Sequence, residues 1–542
     1  MKILIVTGNL AFPLVKNIAD ESDKDVIVHR ADIQIAAFLT PQMIIKELKT
    51  FFYNDLDNFD IILTPGLMRK ATDEIANSLN IPTFKGSSDG ADLGMVLDLI
   101  EELELSTVKS ADKLIEEEKR KHALEFIEDF ENDQERIEKL LKKSNNILVG
   151  NLAVGEDFPM RVLAEIANAP ILPLEELINK AKYFLANGAD MIDIGMIAGE
   201  DFSYKIPEMI ATLRPIMNDK PMSIDTLNPE EIKVAIEHGI DLVLSIDLGN
   251  NKEILPLLKK HNIPSVALPT DFSKGKVPHS PQERVTAMDR LTKICQSEDV
   301  EIIADLILDP INSSSIVDSI IACRQYNMIH KLPIFFGVGN VTELLDTDSV
   351  GVNALLAGIA MELGSCILFT PEESGKTNGS VYELAIASKM MFLAKNRTSI
   401  PKDLGINLLL FKDKKKRQNL FEKFNVPVKT AKKSEHFVLD PEGSFKIRVV
   451  HGIRPEDSKI IVIHFKKLNP DLAIEGTCTR EIYNEIINQG LLSRYEHAAY
   501  LGAELQKAEI AMITGKEYVQ DFELFKRPFD LWIIKNLFNI TI

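Results

Sequence analysis

Short apolar runs recur through the middle of this chain, and each is followed by a stretch with helical spacing of its apolar residues. The eight runs lie at 147–150, 191–194, 222–224, 242–246, 265–268, 301–308, 333–337 and 366–369. Eight β/α units in roughly 250 residues is the size of a (β/α)₈ barrel. Parallel strands buried on both faces carry continuous apolar runs, as these do. Region 145–395 is therefore predicted to be a (β/α)₈ TIM barrel of the α/β class.

Two smaller domains are predicted to flank the barrel. Region 1–105 alternates strands with helices, which is typical of a doubly wound, Rossmann-like α/β domain. Its strands end at Gly8, Gly66 and Gly86, where ligands of such sheets bind. No Gly-x-Gly-x-x-Gly motif is present, so a scaffold or docking role stays open beside ligand binding. Region 106–144 is predicted to be a charged helical connector, and region 396–542 a small α+β domain of unassigned function.

Charge and cysteine usage exclude several classes of protein. The formal net charge of -19 disfavours a nucleic-acid partner, because such a surface repels phosphates. The four cysteines show no CxxC spacing, so neither a disulfide framework nor a zinc site is expected. No apolar run is long enough to span a membrane, and the first residues resemble a strand and not a secretory signal. A cytoplasmic protein without a membrane partner is the expectation.

Polar residues follow the predicted strands, at the end where TIM barrels place their chemistry. They are Asn151, Asp193, Asp225, Ser245, Asp247, Thr270, Asp309 and Asn340. Lysine, arginine and histidine are nearly absent from this set. Serine hydrolysis needs a histidine base, and a hydrolytic metal centre normally needs histidine or a tight carboxylate cluster. No metal is therefore expected.

This residue set suits a neutral heterocycle that carries many hydrogen-bond donors. A 2-amino-4-oxopteridine presents an exocyclic amine beside a ring N–H, and one carboxylate can accept from both. Asparagine serves an edge with mixed donors and acceptors. The alternative is that Asp193 and Asp225 only cap the helices that follow, since aspartate is a favoured N-cap.

Several short motifs in the barrel resemble those of pterin-binding proteins of the dihydropteroate synthase type. They are Met-Ile-Asp-Ile-Gly at 191–195, Ser-Ile-Asp-Thr at 223–226 and Ile-Leu-Asp-Pro at 307–310. The resemblance implies that Asp225 and Asp309 bind the pterin, with Asp309 taking the amine and ring N–H. It also implies that Asp193 and Asn151 shape the side where the reacting group lies.

Strands seven and eight depart from dihydropteroate synthases. The lysine-containing motif of strand seven and the Arg-x-His motif of strand eight are replaced here by Gly-Asn-Val-Thr at 339–342 and Leu-Phe-Thr-Pro at 368–371. Ser245 stands where the family has a fourth-strand asparagine, or Leu244 does under a one-residue shift. The stretch that ends in Asn340 instead resembles corrinoid-dependent methyltetrahydrofolate methyltransferases. The three-part organisation resembles archaeal dihydropteroate synthase-related proteins, which implies a methanopterin context.

These resemblances imply a pterin-dependent transferase of tetrahydromethanopterin or folate-type metabolism. It would move a methyl, another one-carbon or an aryl group at a reduced pterin, with Asn340 and Asp193 as catalytic residues. The pterin would be tetrahydromethanopterin or a precursor, and a corrinoid on a partner protein and a homodimer are implied as well. The alternatives are a non-catalytic pterin carrier or sensor, and a true dihydropteroate synthase with an altered site.

The C-terminal region carries His497, Glu504 and Lys507 on nearby turns of one predicted helix. A second ligand site and a salt-bridged helix face are both compatible with this spacing.

Overall fold

The computed structural model describes residues 1–53, 55–414, 426–432 and 438–525. The chain divides into two compact units, Met1–Asp133 with Leu393–Lys432 and Gln134–Phe392 with Lys433–Ile542. Residues 526–542, which the sequence places in the C-terminal domain, lie outside the described residues. No helix in the described ranges is long and apolar enough to cross a membrane.

The first unit contains a parallel four-stranded sheet in the order β2-β1-β3-β4. Its strands are β1 (Lys2–Thr7), β2 (Asp25–Arg30), β3 (Ile61–Thr64) and β4 (Thr83–Lys85). Its helices are α1 (Phe12–Glu21), α2 (Pro41–Phe51), α3 (Asp73–Leu79), α4 (Leu93–Asp98) and α5 (Ala111–Asn132). Ile5 packs in one apolar core with Val15 of α1 and Leu97 of α4, whereas Leu4 packs in a second core with Ile44 of α2. Helices thus cover both faces of the sheet, which confirms the Rossmann-like prediction.

The second unit begins with α6 (Gln134–Leu140) and an antiparallel hairpin, β5 (Asn146–Val149) with β6 (Leu152–Gly155). Eight parallel strands then close into a barrel in sequential order, because the last strand pairs with the first. They are β7 (Arg161–Ile166), β8 (Met191–Gly195), β9 (Met222–Asp225), β10 (Leu242–Ile246), β11 (Ser265–Ala267), β12 (Ile302–Ala304), β13 (Ile334–Phe336) and β14 (Ser365–Thr370). The predicted (β/α)₈ barrel is confirmed.

Helices follow the barrel strands around the outside. They are α7 (Leu174–Ala186), α8 (Ile206–Leu213), α9 (Pro229–Glu237), α10 (Asn251–His261), α11 (Pro281–Ser297), α12 (Ile316–His330), α13 (Gly339–Thr342), α14 (Ser349–Glu362) and α15 (Ser380–Asn396). All four cysteines of the chain are free, as expected.

The prediction that 147–150 forms the first barrel strand is wrong. This run lies in β5, and its apolar side chains Ile147 and Val149 join the barrel core beside Leu163, Met191 and Leu242. Met191 and Leu242 begin their strands, so the hairpin covers the end of the barrel where the strands start. The run was taken for a barrel strand because a hairpin that covers the barrel core carries buried apolar residues, as a barrel strand does.

The C-terminal part of the second unit is a small α+β fold. An antiparallel sheet is formed by β15 (Ser444–Val450), β16 (Lys459–Lys466) and β17 (Asn469–Gly476), and it packs against α16 (Thr479–Asn488) and α17 (Tyr495–Thr514). Ile447, Ile460, Ile482 and Leu505 lie in its core. Strand β17 was not anticipated from the sequence, because most of its residues are exposed and it has no continuous apolar run.

The hairpin yields a stability prediction. Ile147 is buried in the barrel core, whereas the adjacent Leu148 is 44% exposed. We expect Ile147→Ala to lower the free energy of unfolding by roughly 2 to 5 kcal/mol, because it removes buried methyl groups and leaves a cavity. Leu148→Ala is the matched control and should change it by less than about 1 kcal/mol. Urea unfolding followed by circular dichroism measures both, and equal losses would contradict the hairpin as a barrel floor.

Candidate functional site

Alternate side chains of each barrel strand point into the barrel. Leu163 of β7 and Met191 of β8 belong to the interior apolar core. The next inward positions toward the strand ends are Glu165 and Asp193, which are register partners in the parallel ladder. On β9, Asp225 ends the strand one inward position beyond Ser223, the register partner of Asp193. The barrel interior therefore changes from apolar to acidic as it approaches its mouth.

Four carboxylates form this acidic cluster: Glu165, Asp193, Asp225 and Asp305. One ligand oxygen from each of the first three lies within 4.8 Å of the others. Asp305 follows the last residue of β12, and its carboxylate accepts a hydrogen bond from the Ile307 main-chain N–H at 2.7 Å. The negative charge of Asp225 acts on Asp305, so the two groups belong to one electrostatic site.

Asp193 is the most enclosed member of the acidic cluster, with no exposed surface. The Ser223 hydroxyl donates to its Oδ1. Its other oxygen, Oδ2, has no hydrogen-bond partner within the described residues. Burial, followed by the charges of Asp225 and Glu165, raises the pKa of Asp193 well above its ordinary value. A proton on this side chain would sit on Oδ2, since Oδ1 already accepts from Ser223.

The other three carboxyl groups also hold their protons more tightly than usual. Burial and the charge of Asp225 raise the pKa of Glu165 to about 8. Burial raises the pKa of Asp225 to about 6. Burial raises the pKa of Asp305 to about 7, although the hydrogen bond from Ile307 opposes this shift. The cluster thus shares protons near neutral pH, and it gains stability from any ligand that supplies N–H donors or positive charge.

Gly195 makes room for the Glu165 carboxylate. A Cβ atom at position 195 would collide with Oε1 of Glu165. Any larger residue there would push the Glu165 side chain away from Asp193 and Asp225.

Glu165 was not found by sequence reasoning. Its strand reads Arg-Val-Leu-Ala-Glu-Ile, and the two charged residues interrupt the apolar run. The signal that could have revealed it is alternation: Arg161, Leu163 and Glu165 share one face, with Glu165 at the strand end.

Asn340 lies at the mouth, as predicted. Asn340 lies in α13, shortly after β13. It is exposed, and its Nδ2 donates to the Leu308 carbonyl oxygen at 3.1 Å. Thr370 ends β14 and is buried, and its hydroxyl has no partner in the described part of the chain. Ser245 is buried in β10, where its main-chain N–H donates to the Thr226 carbonyl oxygen at 3.0 Å.

The Asp247 carboxylate, predicted to bind a ligand, is occupied by hydrogen bonds within the chain. Its Oδ1 accepts from the main-chain N–H groups of Gly249 at 2.7 Å and Asn250 at 3.0 Å. Its Oδ2 accepts from the Thr270 hydroxyl at 3.0 Å and the Phe272 N–H at 2.7 Å. These four donors fill the acceptor sites of the carboxylate. Asp247 and Thr270 therefore brace the loops after β10 and β11.

Asp309 is also not the carboxylate that faces the barrel interior. Strand β12 ends at Ala304, four residues earlier than the predicted run, so Asp305 takes the strand-end position. Asp309 forms an ion pair with Arg284, with 2.5 Å between Oδ2 and Nη2. The Arg284 side chain is almost fully buried, and Asp309 compensates its charge. Asp305, and not Asp309, therefore occupies the position directly after strand β12.

Asn151 lies at the opposite end of the barrel from the other predicted residues. It is exposed in the turn between β5 and β6. A Cβ atom on the adjacent Gly150 would meet Asp241, the residue before β10. The prediction that Asn151 shapes the pterin site is wrong, because it depended on the mistaken first strand.

The loop after β14 adds further carboxylates to the mouth. Glu343 accepts from the Glu373 and Ser374 N–H groups at 2.9 and 3.1 Å. Lys180 is paired with Glu373 at 2.9 Å. Burial raises the pKa of Glu372 to about 7. Lys180 is a cation that sequence reasoning did not place here, but it is already neutralised.

The acidic cluster could also hold a metal ion. Among the described residues, Glu165, Asp193 and Asp225 are the one group of three or more potential ligands that lie close enough together. Oxygen-only ligands suit hard cations such as Mg²⁺ or Mn²⁺ better than Zn²⁺. Sequence reasoning expected no metal because it did not include Glu165 and so saw no tight carboxylate group.

The predicted constellation on α17 is divided between two sets of contacts. His497 Nδ1 lies 3.1 Å from Asp440 Oδ2, whereas Glu504 is ion-paired with Lys507. Tyr518 also donates to Glu504, at 2.8 Å. His497 and Glu504 thus have separate partners, which favours the salt-bridged interpretation over a second ligand site.

The fold defines a TIM-barrel protein with an acidic barrel mouth, and comparisons with known proteins show what it resembles. Residues 166–341 match the family described as pterin binding enzyme, and residues 439–521 match the family PterinBD-DUF4346. Uncharacterized protein MJ0107 of Methanocaldococcus jannaschii is 43% identical over 535 residues, which cover 97% of this chain and 99% of that protein. The chain belongs to the family of this archaeal protein, and residues 166–341 of its barrel match the pterin binding enzyme family. The predicted resemblance to pterin-binding proteins is confirmed.

Solved dihydropteroate synthases also resemble part of the chain. The Thermus thermophilus enzyme is 18% identical, with a TM-score of 0.36 over 45% of this chain and 97% of its own. The Yersinia pestis enzyme is 14% identical, with a TM-score of 0.38 over 47% of this chain and 100% of its own.

The acidic cluster generates a prediction about pH. Glu165 has a folded-state pKa of about 8 against an ordinary value of 4.5, so it keeps its proton in the folded state while the unfolded chain loses it. Stability is therefore lost as pH rises from about 4.5 to 8. Glu165→Gln removes this penalty and should raise the free energy of unfolding, relative to the native chain, by about 2 kcal/mol more at pH 8 than at pH 5.

Urea midpoints at both pH values measure the effect. Glu237→Gln is the control, because Glu237 is an exposed residue of α9 in the same barrel. If Glu165→Gln changes stability equally at the two pH values, the raised pKa of Glu165 is contradicted.

Proposed function

We propose that the barrel binds a reduced pterin and transfers a methyl or other one-carbon group at one of its ring nitrogens. The observation that carries the proposal is the grouping of Glu165, Asp193, Asp225 and Asp305 at the barrel mouth. The pterin would be tetrahydromethanopterin, a precursor of it, or a folate-type molecule.

Asp305 and Asp225 are the proposed contacts for the donor edge of the pterin. The exocyclic amine and adjacent ring N–H supply two parallel donors, which one carboxylate accepts at once. Asp305 keeps acceptor capacity beyond the hydrogen bond from Ile307. Burial and, to a smaller extent, the charge of Asp225 raise the pKa of Asp305, and N–H donors from a pterin would compensate both effects by stabilising the ionised carboxylate.

Proton supply is the proposed role of Glu165 and Asp193. When a methyl group moves from a pterin nitrogen to a nucleophile, the N–C bond breaks and the nitrogen must take up a proton. A carboxyl group whose pKa lies near neutral pH is suited to give that proton. Asn340, exposed at the mouth, would orient the reacting nitrogen with its amide. The nucleophile would be a corrinoid on a partner protein.

Condensation with loss of diphosphate is less compatible with this mouth. A diphosphate would face four carboxylates, and Lys180 is already paired with Glu373. The positions after β13 and β14 offer Asn340 and Thr370, which carry no charge. One observation favours the synthase alternative, however: Mg²⁺ at Glu165, Asp193 and Asp225 would offset most of their negative charge and could bind a diphosphate through its open coordination positions.

Pterin affinity should depend on Asp305. Asp305→Asn cannot accept two N–H donors, so we expect it to weaken binding of tetrahydrofolate or tetrahydromethanopterin by roughly 2 to 5 kcal/mol. Asp309→Asn is the matched comparison. It leaves the buried Arg284 without its partner and should lower stability more than affinity. Isothermal titration of the three proteins measures this, and an unchanged dissociation constant for Asp305→Asn would remove Asp305 from the site.

Asn340 should act on turnover more than on binding. With a methylated pterin and cob(I)alamin as acceptor, we expect Asn340→Ala to lower the rate at saturating pterin by about 100-fold while affinity changes little. Rates of cobalamin methylation, measured by absorbance, test this.

Two other outcomes would support the alternatives. Pterin binding without turnover for every acceptor indicates a carrier or sensor. Formation of dihydropteroate from dihydropterin diphosphate and aminobenzoate, lost when Mg²⁺ is chelated, indicates a synthase.

A further inference from the structure

The sheet of the first unit changes its winding direction between β1 and β3. The chain leaves β1 through α1 to reach β2 on one side, and returns from β2 through α2 to β3 on the other side of β1. Helix α1 packs on one face of the sheet and α2 on the other. The loops after β1 and β3 therefore diverge, and a crevice opens at the carboxyl ends of these strands. Ligands of doubly wound sheets bind in such a crevice.

A cavity of about 230 Å³ occupies this crevice. Its walls come from the ends of β1 and β3, the loops that follow them and the inner sides of α1 and α4. Gly66 allows the loop after β3 to pass close to the loop after β4, since a Cβ there would lie 2.5 Å from the Ser88 nitrogen. At the rim, Ile35 is 46% and Leu67 is 60% exposed, so apolar surface continues outward from the cavity.

The polar groups of the cavity are few and uncharged. No residue that lines it carries an ionisable side chain. Thr7, the last residue of β1, is 4% exposed, and its hydroxyl has no hydrogen-bond partner in the described ranges. Gln34 also lines the cavity, where its exposed side-chain amide can donate and accept hydrogen bonds. The Thr7 hydroxyl lines the cavity and is therefore available to a hydrogen-bonding group of a ligand.

Phosphorylated ligands do not fit this cavity. No lysine or arginine lines it. At the start of α1, the Phe12 N–H donates to the Gly8 carbonyl oxygen and Pro13 has no N–H, so the helix end offers few free donors. The net charge of -19 adds a general repulsion of anions.

We propose that the cavity between β1 and β3 is a binding site for an uncharged small molecule that has an apolar body and one hydrogen-bonding group, bound by the Thr7 hydroxyl and the Gln34 amide. This site uses no residue of the barrel, so it stands independently of pterin binding.

The test uses 2-naphthol, which is fluorescent, uncharged at pH 7 and carries one hydroxyl on an apolar ring system. Its matched anion is 2-naphthyl phosphate. We expect the full chain to bind 2-naphthol saturably, and the phosphate ester at least tenfold more weakly. Thr7→Val keeps the shape but removes the hydroxyl, and should weaken binding about fivefold. Ala37→Trp fills the cavity from its 3₁₀ turn and should abolish saturable binding.

Thr50→Val is the control, because Thr50 is an exposed residue of α2 whose hydroxyl donates to Lys46. Circular dichroism checks that each variant is folded. If Thr7→Val does not fold, Ala37→Trp still tests whether the ligand binds in the cavity. Absence of saturable binding to the native chain would overturn the proposal. So would binding that Ala37→Trp leaves intact, equal or tighter binding of the phosphate ester, or unchanged affinity in a folded Thr7→Val.

Discussion

Concentration of negative charge at the end of a closed barrel is the constraint on which the site depends. Asp193 has no exposed surface, and Glu165, Asp225 and Asp305 are partly enclosed above it. Buried carboxylates are costly unless protons, N–H donors or cations compensate them. The apolar hairpin β5–β6 lies over the other end of the barrel, so compensation must come from the mouth. A ligand that brings N–H donors or positive charge to the barrel mouth would therefore stabilise the buried carboxylates.

The negative charge of the barrel mouth also bears on which reaction the site would support. A pterin edge supplies donors and leaves the protons of Glu165 and Asp193 available for a reacting nitrogen. A diphosphate supplies only negative charge, so it would bind beside the four carboxylates only together with a cation. The proposal that one-carbon transfer is favoured over diphosphate displacement therefore rests on the four carboxylates and not on the barrel fold, which hosts many chemistries.

The sequence predicted the barrel because its β/α units repeat, but it predicted the site only in part. Asp193 and Asp225 were found because they lie at the carboxyl ends of apolar runs that do form barrel strands. Glu165 was missed because Arg161 and Glu165 interrupt the apolar run of β7. The run at 147–150, which belongs to the hairpin, was taken for the first barrel strand instead. Asp309 was chosen over Asp305 because the apolar run continues past the end of β12. The hydrogen bonds that occupy Asp247 come from residues as distant as Phe272, and a local pattern does not reveal them.

The two proposed sites differ in charge yet discriminate against the same ligands. The barrel mouth repels phosphates through its carboxylates, whereas the cavity of the first unit cannot hold them because no ionisable side chain lines it. Rossmann-like sheets commonly bind nucleotides through a helix N-terminus and a glycine-rich turn. Here Pro13 stands in the first turn of α1, and the proposed ligand contacts are the Thr7 hydroxyl and the Gln34 amide. The net charge of -19 adds a general repulsion of anions to both of these local effects.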